Sequence, residues 1–506
     1  MTDTDVMQKV VSLCKRRGFV FQSSEIYGGL KSAYDYGPLG VELKRNLMNE
    51  WWRAMVHERE DVVGLDASII MHPKVWEASG HLSGFSDPLV DCRNCKERFR
   101  ADKAPTMPQG TPVQYHEGGK KSGKTLQGVV GSCGYVCPQC QSPNLSDERQ
   151  FNLMFRTSLG PVDPIGQMVA ALEASKHLEG AALRAALEQV VKESAVYLRP
   201  ETAQAMFVQF LNVQQTTGAK VPFGIAQMGK SFRNEITVEH FIFRSCEFEQ
   251  MEMEFFVEPG TQGQWLEYWR DKRMAWWKSF ANNPEKFRAR AHEPSELAHY
   301  ADACYDIEYA YPWGFGELEG VASRTDYDLT KHQEHAGTKL SYFDQQKQDP
   351  ATGKMGWRYI PYVIEPAAGA TRGVLVYLLD AYHEEAVPDA KGEEATRVVL
   401  KLHPRLAPVK VAVLPLVKKD GLPEIARGLV DAFFKAGINA KYDEQHAIGK
   451  RYRRHDEIGT PYCITVDGQT REDGTVTIRN RDTMLQERVS ADSALEAVRA
   501  RLAAPV

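Results

Sequence analysis

The sequence predicts an α+β fold: an antiparallel sheet in a large first domain, a cysteine-rich insertion within it, and a small α/β domain at the C-terminal end. Three observations carry this expectation. Between Val196 and about Leu329, short strand-like runs (FGIAQMG, FIF, MEMEFFV, GELEGV) surround one Trp-rich helix, WLEYWRDKRMAWWKSF, instead of alternating with helices one for one. Five of the nine cysteines fall between residues 92 and 140. Two prolines in HPRLAPV, residues 403–409, precede a stretch of strand and helix signals in alternation.

Composition narrows the class. A chain of 506 residues suffices for about three domains, and 43% hydrophobic with 25% charged residues is globular. No uncharged apolar run approaches the roughly 18 residues of a membrane span, and the polar start MTDTDVMQKV lacks a basic-then-apolar secretion pattern, so a cytoplasmic location is expected. The net charge of −5 argues against a globally basic nucleic-acid binder. From Lys401 onward, however, 18 Lys and Arg face 14 Asp and Glu, a local +4 that leaves −9 for the rest. An acidic body with a mildly basic tail suits a polyanion that touches one end.

Taken in chain order, Tyr34-Asp35-Tyr36-Gly37-Pro38 reads as a turn with Pro placed to start a helix. Leu39, Leu43, Leu47, Trp51 and Met55 then recur every four residues as a core-facing stripe. Residues 91–150 are rich in Cys, Gly, Lys and Pro, and residues 165–195 in Ala, Leu and Glu, hence helical. Ser231–Ile236 and Glu247–Val257 read as antiparallel neighbours joined by a loop over Thr237–Arg244. Period two would place Glu252 and Glu254 on one face of the second strand and Met251 and Met253 on the other. Glutamates repeated on one face repel, so they need solvent or a cationic partner, and a solvated face is the ordinary outcome. After YVIEPAAGATR, the run GVLVYLLDAYHEE predicts a helix that closes the large domain. In the tail, VKVAVLPLV is a buried-strand run, ARGLVDAFFKAG a helix stopped by Gly, and YCITVD another strand.

Two motifs lie in the insertion. Cys92-x-x-Cys95 and Cys137-x-x-Cys140 have the spacing of a four-thiolate structural Zn²⁺ site, with free reduced thiols as the alternative and Cys133 as a spare. Gly118 to Thr125, GGKKSGKT, matches the phosphate-loop pattern GxxxxGK[ST]. That pattern works only between a buried strand and a helix, and here GTPVQYHE is a poor strand while Gly128, Gly131 and Gly134 forbid a useful helix after it. A flexible basic loop of the zinc module is the better reading.

Three further segments put glutamate in apolar or Gly-rich surroundings: Leu198-Arg-Pro-Glu201-Thr, Gly316-Glu317-Leu-Glu319-Gly, and Ile364-Glu365-Pro-Ala-Ala-Gly369-Ala-Thr-Arg372-Gly. Arginines at strand ends and helix starts suit phosphate oxygens, and buried carboxylates suit an ammonium group or Mg²⁺. With these segments in order, the chain resembles the class II aminoacyl-tRNA synthetases, and within them the homodimeric glycyl type. YDYGPLGVELKRNL resembles the first motif of that class, FRNE with Arg244 to Phe248 the second, and GATRG the third. LRPETAQ, EFEQMEME and VIEPxxG resemble glycyl-type signatures, and PVKVAVLPL with IGKRYRRHDEIGTPYCITVD resembles the class IIa anticodon-binding domain.

The resemblance implies an α+β class II catalytic domain over residues 1–402, a zinc-binding insertion over 91–150 within it, and an anticodon-binding α/β domain over 403–506. It implies ligation of glycine to tRNA(Gly) by way of glycyl-adenylate, with ATP and Mg²⁺, in a homodimer. Arg233 and Arg372 would be catalytic, Arg233 at the α-phosphate. The ATP set would be Arg233, Asn234, Glu235, Phe243, Arg244, Phe248, Glu317, Leu318, Gly369 and Arg372, with Phe248 stacked on adenine, Glu235 facing its amino group and Glu317 helping to hold Mg²⁺. The glycine set would be Arg100, Glu201, Phe248, Glu252, Glu365 and Gly369. Cys92, Cys95, Cys137 and Cys140 match a zinc module found in some members. Arg451, Arg453 and Arg454 would face the anticodon region. Two positions depart from the family pattern: Ala367 stands where a serine is common, and Cys246 where the second motif commonly has an arginine.

Overall fold

The computed structural model describes residues 3–30, 32–159, 163–388 and 394–503. Its centre is a seven-stranded sheet in the spatial order Phe287–Ala291, Ala303–Tyr311, Gly314–Thr325, Tyr362–Gly369, Glu247–Val257, Phe223–Phe232 and Val62–Gly64. All neighbours are antiparallel except the short parallel edge strand Val62–Gly64. The paired strands of the central ladder bring Ile225 opposite Glu254, Gln227 opposite Glu252 and Phe232 opposite Glu247. The first of them therefore runs from Phe223 to Phe232 instead of Ser231 to Ile236. Arg233 N still donates to Cys246 O, and the chain then leaves the ladder, with Asn234 N donating to Leu153 O. FIF is a 3-10 turn, Phe241–Phe243, inside the connecting loop and not a strand.

Period two decides what each face holds. Met251, Met253, Phe255 and Val257 point into the main core, where Leu43, Leu47, Trp51, Trp269 and Trp277 meet them. Phe256 points the other way, into a second cluster with Phe207, Phe210 and Phe223. That second face is thus sealed at one end by the helices Ala203–Val208 and Phe210–Thr217 and open at the other, where Phe248, Gln250 and Glu252 reach a cavity.

Two helices press on the main-core face of the sheet. Pro38 starts the helix Pro38–Trp52, which buries Leu43, Leu47 and Trp51 as the stripe predicts, with Met55 buried in the π-turn that follows. The helix Ala370–Ala381 is buried along its whole length apart from Arg372. Its expected continuation over His383 to Glu385 is instead a strand, Tyr382–Pro388, paired with Glu394–Leu400. Gly373 marks a close approach between the two helices. A Cβ there would stand 2.8 Å from Leu47 and 2.9 Å from Trp277, so only glycine lets these three elements meet.

Within the insertion, Ser86–Asp91, Arg98–Arg100 and Arg149–Asn152 form a three-stranded sheet. GGKKSGKT is the turn of a hairpin between Pro112–His116 and Thr125–Val129. GTPVQYHE therefore does contain a strand, contrary to expectation, but a second strand follows the turn and no helix N-terminus faces it. Two helices, Pro164–Ala174 and Gly180–Ser194, occupy the Ala- and Leu-rich segment.

The tail is a five-stranded sheet in the order Ala440–Tyr442, Val411–Pro415, Tyr462–Val466, Thr475–Asn480, Gln486–Ser490, parallel over the first three strands. The helix Leu422–Lys435 buries Leu422, Ala426, Val430 and Phe433 against it. HPRLAPV is a packed joint: Leu406 and Ala407 are fully buried, and Arg397 ties the preceding strand to Asp456 of the tail helix Ile448–Glu457 at 2.8 Å. No helix among the described residues is long and apolar enough to cross a membrane.

Candidate active site

The open face of the sheet floors a cavity of about 350 Å³ whose wall divides by charge. At its outer end stand Arg233, Arg244 and Arg372 with Glu235 and Glu317; at its inner end lie Glu201, Glu252, Glu365 and Arg324. Of the residues singled out from the sequence, Phe243, Phe248 and Gly369 also line it.

Each outer cation is held. Arg233 follows the last strand residue, donates Nε to Pro200 O at 3.1 Å, and lies 5.4 and 5.5 Å from the rings of Phe85 and Phe248. Arg372, in the first turn of the buried helix, donates to Phe243 O and Glu317 O and pairs with the Glu317 carboxylate at 3.0 Å. Arg372 holds Glu317 below the usual carboxylate range against its desolvation. Arg244 stands 3.7 Å from Glu235. Glu317 reaches the cavity because of a β-bulge: Ile307 pairs with Glu319 and Glu308 with Glu317, leaving Leu318 as the extra residue. Leu318 and Glu319 consequently turn to the core, where Glu319 is fully buried and accepts from Arg273 at 2.7 Å and from Trp277.

The inner end is a carboxylate pit, not a solvated strand face. Glu252 and Glu254 are 1% and 0% exposed. Glu252 accepts from Thr202 N at 3.0 Å and from Thr202 Oγ1. Arg324 forks onto Asp328 at 2.8 and 3.0 Å and reaches Glu365 at 2.9 Å. Glu201 lies 3.3 Å from His81 Nε2 and accepts from Gln204 at 3.0 Å. Burial pushes Glu252, Glu254 and Glu365 above the ordinary carboxylate range, and their proximity to other glutamates adds to it. Glu201 goes the other way: burial alone would raise it, but His81, Arg324 and the Gln204 hydrogen bond pull it down.

Three residues expected at the site stand off it. Leu318 offers the cavity no side chain, being buried in the core. Asn234 is not on the wall, its amide tying the loop to Leu153. Arg100 spends its guanidinium on Asp87 and Asp102, each at 2.8 Å. Conversely, Arg324, Asp328, Thr202, His81 and Gln250 shape the pit and were not foreseen. A signal existed for one of them: Gly320, Ala322 and Arg324 continue the period-two alternation past the bulge and all line the cavity.

In the insertion the four expected cysteines converge. Cys92 and Cys140 Sγ are 3.6 Å apart, as are Cys95 and Cys137, and all four lie within 4.8 Å of one another. Four sulfurs at about 2.3 Å from a tetrahedral Zn²⁺ stand about 3.8 Å apart, so the donor set fits that ion. Gly119 of the hairpin turn crosses directly above, since a Cβ there would be 2.6 Å from the Cys95 Cβ. Asn94, also unforeseen, links the turn to the cluster, accepting from Gly118 N and donating to Cys140 Sγ at 3.5 Å. Cys133 is exposed and apart from the cluster.

In the tail, Arg451 is 2% exposed and donates to the carbonyls of Pro415, Asp443 and Leu416. The helix turns that side chain inward, where it ties two loops. Arg454 pairs with Asp443, and Arg453 is half-buried.

Comparison with known proteins agrees with this architecture. Residues 410–501 match a family model described as an anticodon binding domain. The chain is 50% identical over 500 residues to the glycine–tRNA ligase of Bifidobacterium longum, covering 98% of this chain and 93% of that one. It is 48% identical over 483 residues to the enzyme of that name from Treponema denticola, covering 96% and 94%. The chain belongs to the glycine–tRNA ligase family. The likeness to a third member, from Thermobifida fusca, is 47% over 504 residues and 99% of both chains, so insertion, cavity and tail all lie within the shared length of the family.

Proposed function

We propose that this member of the glycine–tRNA ligase family activates glycine in the cavity described above and transfers it to the 3′ end of tRNA(Gly). The observation that carries the reading is the division of one cavity into a guanidinium rim and a carboxylate pit. The rim suits the phosphates of ATP and the pit suits the ammonium group of glycine. Residues 1–402 would form a class II catalytic domain, 91–150 its zinc-binding insertion and 403–506 the anticodon-binding domain, in a cytoplasmic enzyme.

In the first step a glycine carboxylate oxygen attacks the α-phosphorus of ATP, and the bond to the bridging oxygen of pyrophosphate breaks as the acyl–phosphate bond forms. No side chain has to move a proton. Arg233 would meet the charge that builds on the α-phosphate, and Arg244 and Arg372 would bind the outer phosphates, all three held in place beforehand by their own contacts. Phe248 is placed to stack on the adenine, and Glu235 to accept from its amino group. In the second step the terminal ribose hydroxyl of tRNA attacks the glycyl carbonyl and AMP leaves. Glu317, half-exposed and oxygen-bearing, with Asp306 near it, fits the hard-ligand demand of Mg²⁺, which when bound neutralises phosphate charge.

Specificity follows from the pit. Glu201, Glu252 and Glu365 would surround the ammonium, and Ala367, which pairs with Glu252 across the sheet, closes the wall against a larger side chain. Arg453 and Arg454 remain candidates for anticodon contact. The four-cysteine cluster would hold a structural Zn²⁺, leaving no open position for substrate. A homodimer is supported by Ile26 and Tyr27, each 87% exposed near the first motif. The test is exchange of labelled pyrophosphate into ATP with single amino acids. Glycine should support exchange and alanine should not; absence of glycine-dependent exchange by zinc-replete protein would sink the reading.

A further inference from the structure

Glu254 stands just behind the pit, off the cavity wall, and has no part in the reaction as written above. Its side chain is fully buried, and neither carboxylate oxygen has a hydrogen-bond partner. Strand periodicity aims it to the same side as Glu252, and its carboxylate lies within 4.8 Å of those of Glu252 and Glu365.

The other acids of the pit each have a donor. Glu252 has Thr202, Glu365 has Arg324, Asp328 has Arg324 and Gln204, and Glu201 has Gln204 beside His81. The charged groups that face Glu254 are Glu252 on its own strand, Glu365 on the neighbouring strand, Arg324 beyond that and Asp328 on the helix Tyr327–Ala336. Arg324 directs its hydrogen bonds to Asp328 and Glu365. A buried carboxylate that accepts no hydrogen bond and faces two other carboxylates is poorly served by the nearby Arg324, which is bonded to its neighbours, and a proton is the smallest partner it can take.

We propose that Glu254 holds a proton in the glycine-free enzyme and that the arriving glycine ammonium expels it. The inference rests on the glycine pit proposed above. The O–H bond of Glu254 breaks and the proton passes to solvent. The ammonium brings in one positive charge as the proton carries one out, so the charge of the pit is conserved. Glu254 is then a positioning residue that keeps the empty pit intact, and glycine binding is linked to release of about one proton. Apparent affinity for glycine falls by up to about tenfold per unit as the pH drops through the range in which the empty pit holds its proton and the glycine-bound pit does not.

The test is titration calorimetry of the zinc-replete enzyme with glycine at pH 7 in buffers of different ionisation enthalpy. The wild type should give an apparent enthalpy that changes with buffer by about one proton released per glycine. Glu254→Gln should bind glycine with little buffer dependence and bind ATP as the wild type does. Should that variant fail to fold, difference infrared spectroscopy of the wild type decides instead, through loss of a protonated-carboxyl band on adding glycine. Glycine binding without buffer dependence would overturn the proposal, as would an unchanged slope in Glu254→Gln. So would expulsion of the same proton by Mg²⁺ alone in competition with glycine, which would mark the cluster as a cation site. Failure of glycine to bind at all is a different result, and overturns the functional reading itself.

Discussion

At the scale of residues, the pit is a set of charges that could not stand alone. Glu252, Glu365 and Glu201 are tolerated because Thr202, Arg324, Gln204 and His81 each answer one of them. Replacing Glu252 by Gln keeps the shape and removes one charge from the glycine side only. We expect the KM for glycine in pyrophosphate exchange to rise about 10- to 100-fold, as loss of a charged hydrogen bond implies, and the KM for ATP to stay within about twofold. An equal rise in both would place Glu252 in general support of the fold. Much of this site was legible in the sequence. The opposition of Glu252 and Glu254 to Met251 and Met253 follows from period two, and GATRG marks Arg372 at a helix start. What could not be read was depth: nothing in EFEQMEME tells a buried acid face from a solvated one, because the answering cations and hydroxyls sit more than 40 residues away, at Thr202 and Arg324.

At the scale of elements, two devices fix the geometry. The first is the crossing of the Pro38–Trp52, Gln262–Lys278 and Ala370–Ala381 helices at Gly373, beside the turn that carries Arg372. Gly373→Ala should cost about 1–3 kcal/mol in chemical denaturation, since Leu47 and Trp277 must both move. A neutral substitution would mean that the three helices are not packed as described. The second is the tail helix Ile448–Glu457, whose Arg451 and Arg454 tie the domain's own loops. Asp443 there is pushed up by burial but pulled further down by His455, the Gln445 amide and Arg454, so its folded-state pKa lies below that of the unfolded chain. Its stabilisation is present above a pH of about 4 and lost as the pH falls from there through the folded-state value. Asp443→Asn should therefore lower tail stability at pH 7 and flatten its acid dependence; the same acid slope in mutant and wild type would contradict this. The bulge at Leu318 and the early end of the Phe223–Phe232 strand escaped the sequence for one reason. Both are set by partners outside the strand, the Glu319 pocket under Trp277 and the Leu153 carbonyl, whereas propensity reads only neighbours in the chain. The same limit hid the inward turn of Arg451.

At the scale of the whole molecule, the proposed function puts activation in the cavity and RNA contact in the tail. Light scattering should give twice the 57.0 kDa chain mass, and Ile26→Lys with Tyr27→Lys should yield the monomer. A wild type that stays monomeric at micromolar concentration would contradict the homodimer. The cysteine cluster and the separate tail sheet were legible because cysteine spacing, proline placement and helix periodicity are local signals, while GGKKSGKT shows how a local signal misleads. Its glycines curve a hairpin over a cysteine cluster, and its lysines have no phosphate cradle to serve. The central claim is that ATP is handled by the arginine rim of the sheet. Glycine-dependent pyrophosphate exchange by Arg233→Ala, measured beside Lys124→Ala, tests it most directly. The account predicts a loss of about 100-fold or more in kcat for Arg233→Ala and a change within about twofold for Lys124→Ala. Near-normal exchange in the first with loss in the second would contradict it.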